Sequence, residues 1–152
     1  MSITRVQIER ILISRCGKLL TAAGLDGTTR NGANDDLADP IGAAVRALGL
    51  TVADLSAVAD TDLAGVTNDQ IDHLLDVAEL RALENIEGNL DQVDITIGPR
   101  SESLNQLAKQ VRAKIEAKQA AVAAAYGSGV GGLSTSAVTT SWDAPADESA
   151  YE

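Results

Sequence analysis

The residues that could do chemistry are few and scattered. His73 is the only histidine, and Asp69, Asp72 and Asp76 lie within a turn of it if the segment is helical. A lone imidazole beside carboxylates lacks the companions of a zinc site. No motif supplies a Ser or Cys nucleophile for it to activate. Cys16 is the only cysteine, so an intrachain disulfide is excluded, and it sits in a helical apolar pattern as a core residue. The run GSGVGG, residues 127–132, has the glycines of a phosphate loop but no Lys in the required place. GLDGTTRNGANDDLA, residues 24–38, has the composition of a calcium loop without its closing Glu or its alternation of oxygen donors. No pair among the many carboxylates is singled out for acid–base work. The expectation is no catalytic residue, no metal, no cofactor and no enzyme activity.

The elements that would position these groups read as helices. The 152 residues suffice for one domain with an arm or tail. Hydrophobic residues make up 45% and aromatic ones only 2%, so the core must be built from Leu, Ile, Val and Ala. Residues 4–23 carry a broad apolar stripe, with Thr4 and Gln7 at capping-box spacing and Gly24 as a stop. Residues 24–38 read as a polar loop. A short helix is expected over 40–49, with Asp39 as cap, Pro40 in its first turn and Gly49 at its end. Thr51 and Asp54 mark a further start, with Val52, Leu55 and Val58 inward. A long helix follows over 68–92, opened by a second capping box, Thr67 with Gln70. Its apolar residues occupy two faces. Ile71, Leu74, Leu75 and Ala78 form one. Leu80, Leu83, Ile86, Leu90 and Val93 form the other, which suggests packing on both sides, one of them against a neighbouring subunit. Gly88 weakens this helix by about 1 kcal/mol relative to Ala and suggests a bend or a close contact. No apolar run reaches membrane-spanning length, and the first residues do not have the pattern of a signal peptide.

Between two helical patterns lies VDITIGPRSESLNQL, residues 93–107. Val93, Ile95 and Ile97 alternate with Asp94, Thr96 and Gly98, the period of a short strand. The stretch is either a loop capping the core or an element that pairs between subunits. A last helix over 101–125 has Leu104, Leu107, Val111, Ile115 and Val122 on its apolar side. Residues 127–152 are rich in Gly, Ser, Thr and Ala. Trp142 there, with Val138 and Leu133, reads as a partner-docking segment, the alternative being an inert tail. The fold class is thus mainly α. A helical bundle with a long central helix occupies 1–126, a short extended segment precedes the last helix, and an extended tail occupies 127–152.

Charge is strongly segregated. The net charge is -10, which opposes binding to free nucleic acid. Residues 31–99 hold fourteen acidic and two basic side chains, whereas residues 1–30 and 100–126 each hold five basic and two acidic. The acidic middle is expected to pair with the basic flanks, within the chain or between copies. Lys109, Arg112, Lys114 and Lys118 would face the acidic long helix, which implies a helical hairpin of complementary charge.

In the order of these elements the chain resembles the head–tail connector proteins of tailed bacteriophages, also called adaptor or head completion proteins. The likeness covers residues 1–126 and is carried by the first helix, the short middle helices, the long helix over 67–93 and the last helix opened by VDITIGPRSESLNQL. The resemblance implies a structural virion protein at the neck, assembled in the host cytoplasm. About twelve copies would form a ring by one repeated heterologous contact. The ring would lie between the portal protein and a stopper or tail-completion protein and pass genomic DNA without sequence-specific binding. Under that reading Leu83, Ile86, Leu90, Val93, Ile95, Ile97 and Arg112 belong to the subunit interface. Asp69, Asp72, Asp76 and Glu79 line the channel, while Glu84, Glu87 and Asp91 are candidates to meet the basic helix instead. A different reading is a small acidic helical regulatory or antitoxin-like module that covers a basic partner.

Overall fold

The computed structural model describes residues 2–94 and 101–127, except for the side chains of 91–94 and 101–104. Four α-helices occur among the described residues: α1 (Arg5–Ala22), α2 (Asp35–Ala47), α3 (Ile71–Asp94) and α4 (Ser101–Tyr126). A single 3-10 turn, Asn68–Gln70, leads into α3. No strand occurs among the described residues.

Helix α1 starts where its cap places it. The Thr4 hydroxyl accepts from the Gln7 N–H, and Gln7 Oε1 accepts from the Thr4 N–H at 3.0 Å. The helix ends at Ala22 with Ala23 as C-cap, and Gly24 follows with a φ of +79°, which is open to glycine at no steric cost. Helix α2 begins five residues earlier than the Asp39-Pro40 pair suggests. Asn34 is its N-cap, accepting from the Asp36 N–H, and Asp35 and Asp36 fill the first turn, where carboxylates favour the helix dipole. Pro40 therefore lies inside the helix and leaves one turn without its usual backbone bond. Residues 51–66 are turns, not the further helix that Thr51 and Asp54 suggest. Their aspartates take the backbone N–H groups a helix would need: Asp62 accepts from Ala53 and Ala59, and Asp54 from Ser56. Val58 is buried as expected, but Leu55 is 64% exposed.

Helix α3 is the spine, packing against α1, α2 and α4. Both of its apolar faces are used. Leu74, Leu75, Ala78, Leu80, Leu83, Ile86 and Leu90 are all buried in one cluster with Ile8, Leu12 and Leu20 of α1, Leu37, Ile41 and Val45 of α2, and Val111, Ile115 and Val122 of α4. The backbone of Val93 and Asp94 is still helical, so the expected strand does not begin there. Ile95 and Ile97 lie outside the described residues. Gly88 meets nothing within 4 Å of an added Cβ, so no close contact requires a glycine.

Candidate functional site

Three places on the molecule combine charge or polarity with geometry. The first is buried. Arg5 and Glu9, one turn apart on α1, are both inside the protein and pair at 3.0 Å. Glu9 Oε1 also accepts from the Asn34 N–H at 3.1 Å, and Oε2 from the Gly32 N–H at 2.7 Å. Arg5 donates to the carbonyls of Val58 at 2.9 Å and Asn34 at 2.8 Å. The Asn34 amide donates to the carbonyls of Asp26 and Thr29. This network ties the loop before α2 and the turns of 51–66 to α1. Each charge meets its partner and backbone dipoles, so the burial is compensated. Every polar atom of the pair is engaged, which leaves it a fastening and not a reactive centre.

The second place is the junction of α1, α3 and α4, and it contains two of the acids expected to line a channel. Lys118 Nζ lies 2.8 Å from Asp76 Oδ1 and 3.0 Å from Glu79 Oε2. Arg15 reaches Glu79 at 2.9 Å and Asp76 at 3.4 Å. The Tyr126 hydroxyl donates to Asp76 Oδ2 at 3.1 Å. Partial burial alone would lift the Asp76 titration, but the hydrogen bond and charge of Lys118, the Tyr126 hydroxyl and Arg15 outweigh it and hold the carboxyl below its ordinary value. Lys118 is likewise disfavoured by burial yet raised by its two carboxylates. Burial and then the Asp76 carboxylate raise the Tyr126 phenol. Asp76 and Glu79 are thus neutralised within the chain and present no free acidic wall. Asp69 and Asp72 do remain exposed.

His73 borders this junction, its ring stacked on Tyr126 with centroids 4.0 Å apart and planes within 6°. Its Nε2 is buried and has no hydrogen-bond partner, so no nucleophile or carboxylate among the described residues is placed to exchange a proton with it. Cys16 is buried, its Sγ 3.1 Å from the Leu12 carbonyl oxygen. Burial and then Glu79 push its thiol up to about 11, so it remains protonated at neutral pH and a poor nucleophile. No group of three or more metal-ligating side chains occurs among the described residues, residues 24–38 included. That loop's Asp26 instead accepts from Thr29 and Thr28, and these bonds bring its carboxyl down to about 2. No described helix is long and apolar enough to cross a membrane.

The third place comprises two surface grooves. One, of about 400 Å³, is walled by Asp35, Asp36, Asp39 and Glu84, with Arg81 bonded to Asp39 at 2.9 Å. The other, of about 750 Å³, runs between the residues preceding α1, the outer side of α1 and the start of α3. Ile3, Ile11 and Ile71 form its floor, and Gln7, Arg10 and Asn68 its rim. Sequence reasoning missed this groove, because Ile11 and Ile71 each read as ordinary members of an apolar stripe.

The residues assigned to a subunit interface are distributed differently from that expectation. Leu83, Ile86 and Leu90 are no more than 3% exposed within the single chain, because α3 is covered on both sides. They belong to the core of the single chain. Arg112 is exposed and pairs with Glu87 across the α3–α4 hairpin at 2.7 Å. The expected meeting of the basic last helix with the acidic long one therefore closes inside the subunit. Leu133, Val138 and Trp142 lie outside the described residues. Comparison with family models, characterised proteins and solved structures finds no match.

Proposed function

We propose that the protein is a structural assembly subunit of the head–tail connector kind, forming a ring between a portal protein and a stopper or tail protein. The observation that supports this most is the helix order itself. Two capped helices precede a long spine, and the spine pairs with a final helix of opposite charge. This is the order on which the resemblance rests. Ring contact through the apolar side of α3 is replaced by contact between unlike polar surfaces. Asp69 and Asp72 remain exposed on one part of the surface, and Lys109 and Lys114 on another. An acidic surface of one copy meeting a basic surface of the next is a heterologous contact of the type that closes rings. Such contact is screened by salt over about 10 Å at 0.1 M.

The test is electron microscopy of the chain mixed with portal particles from the same genome neighbourhood. An added ring at low salt, lost at high salt, is the expected result. Absence of portal association across the whole salt range would sink the proposal. A second reading, a module that covers a basic protein, draws support from the groove walled by Asp35, Asp36, Asp39 and Glu84. Recovery of a basic enzyme in stoichiometric complex, with no virion protein, would favour it over the ring.

A further inference from the structure

We infer that the apolar groove between α1 and the start of α3 receives Leu55 of a second copy of this chain. The groove has three isoleucines in its floor, Ile3, Ile11 and Ile71, and its one charged residue is Arg10. Ile11 and Ile71 are only half-buried, so the single chain leaves part of this floor open. Arg10 is exposed and has no ion-pair partner among the described residues. The groove therefore suits a bulky apolar side chain with a carboxylate beside it.

The described surface carries one such knob. Leu55 is 64% exposed, the one large hydrophobic residue of the described chain left outside the core, and Asp54 directly precedes it. The two sit in a turn closed by the Ala57 N–H on the Asp54 carbonyl at 3.2 Å. Asp54 Oδ1 accepts from the Ser56 N–H at 2.9 Å and from the Ser56 hydroxyl at 2.6 Å, whereas Oδ2 has no partner among the described residues. The turn is anchored on both sides, by Asp62 on the Ala53 N–H and by Arg5 on the Val58 carbonyl. The knob is thus presented in a fixed shape, and docking it orders little chain. Leu55 does not line the groove of its own subunit, so the knob is free for another. A second copy supplies both halves of the match: leucine against the isoleucines, and Asp54 Oδ2 toward the Arg10 guanidinium.

Knob and groove are separate patches, so either can be disabled alone. Leu55→Ser removes the knob, and Arg10→Glu inverts the charge at the groove. Both residues are exposed, so both variants keep the fold, and far-ultraviolet circular dichroism checks this. Leu55→Ser chain labelled at the isoleucine methyls, with its groove intact, is titrated with unlabelled Arg10→Glu chain, whose knob is intact, up to millimolar concentration. The expected result is that the Ile3, Ile11 and Ile71 methyl signals move as the titrant is added, while those of Ile41 and Ile86 in the core stay in place. Unlabelled Leu55→Ser chain as titrant should move none of them. Unlabelled Asp54→Asn chain, which keeps an acceptor for Ser56 but loses the charge, should move them less. Static groove signals at millimolar chain would overturn the proposal. Equal movement with the Leu55→Ser titrant would put a different surface in the groove and reject it as well. The measurement uses the isolated chain with no portal present, so its outcome is separate from that of the ring.

Discussion

Replacing Glu9 by Gln should be among the most damaging single-atom changes available in this chain. Three N–H donors point at the Glu9 carboxylate: Arg5 Nε at 3.0 Å and Asn34 N at 3.1 Å on Oε1, and Gly32 N at 2.7 Å on Oε2. Glutamine has the same shape, but whichever way its amide turns, the NH₂ group faces a donor. The Arg5 charge, 5% exposed, is then left without its counterion. Removing one member of a buried ion pair costs about 3–5 kcal/mol, a large part of the roughly 5–15 kcal/mol that holds such a domain folded. With a urea m-value of about 2 kcal/mol/M, the unfolding midpoint should drop by about 2 M. Circular dichroism in urea measures this, and Lys18→Gln on the exposed side of α1 serves as the control, expected within about 0.5 kcal/mol of the parent. Hydrogen exchange adds a local readout: the Gly32 and Asn34 amides should lose protection ahead of the α3 core. The double change Arg5→Met with Glu9→Leu should not rescue stability. Apolar replacement of a buried pair is often neutral, but here it strands the Val58 carbonyl and the Gly32 and Asn34 amides, and takes one of its two donors from the Asn34 carbonyl. A Glu9→Gln midpoint within about 0.3 M of the parent, or a fully stable double variant, would refute this reading of the network.

Two further predictions follow from the same structure. A Cβ added at Gly27 would lie 2.0 Å from the Gly17 carbonyl oxygen, whereas at Gly88 it meets nothing within 4 Å. Thermal melts should show Gly27→Ala strongly destabilised and Gly88→Ala stabilised by about 1 kcal/mol, the helix propensity of alanine over glycine. The α1–α3–α4 junction should be sensitive to acid. Asp76 titrates below its ordinary 3.8 in the folded chain, so its contribution is full above that pH and is lost as pH falls through the depressed value. Lys118 and Tyr126 are raised, so their contributions are full below 10.5 and 10.0 and are lost at higher pH. Urea midpoints across pH should show Asp76→Asn costing about 1 kcal/mol at neutral pH, discounted for partial exposure, with the difference from the parent closing in acid below pH 3.8.

The helices were legible wherever a local signal sets them. Thr4 with Gln7 and Thr67 with Gln70 announce their starts, and the apolar positions of α1, α3 and α4 match the buried residues closely. The start of α2 was misplaced because Pro40 was read as a first-turn residue. The Asn34-Asp35-Asp36 run, a cap followed by two first-turn acids, was the better signal. The turns of 51–66 were missed for a different reason. Periodicity registers apolar side chains and takes no account of aspartates that bind the backbone themselves. The buried network was the least legible part. An Arg and a Glu four residues apart ordinarily mark a solvated helix face, and only the loops arriving from residues 26–34 and 58–60 put this pair inside.

The two-faced apolar pattern of α3 illustrates where such reasoning overreaches. Two stripes mean two contacts, but periodicity does not say whose surface supplies the second. Here α1, α2 and α4 of the same chain all pack on α3, and Leu55 is the one large hydrophobic residue exposed among those described. A helical core closed in this way does not depend on a partner for burial of its apolar surface. Obligate interfaces are rich in apolar surface that the lone subunit cannot hide, and this core does not supply it. Outside the groove floored by Ile3, Ile11 and Ile71, association through its described surface is therefore polar, adding charge complementarity and orientation more than raw affinity. Under the proposed connector reading, such a subunit would assemble on a partner already in ring order, where each neighbour contact needs only to be weak.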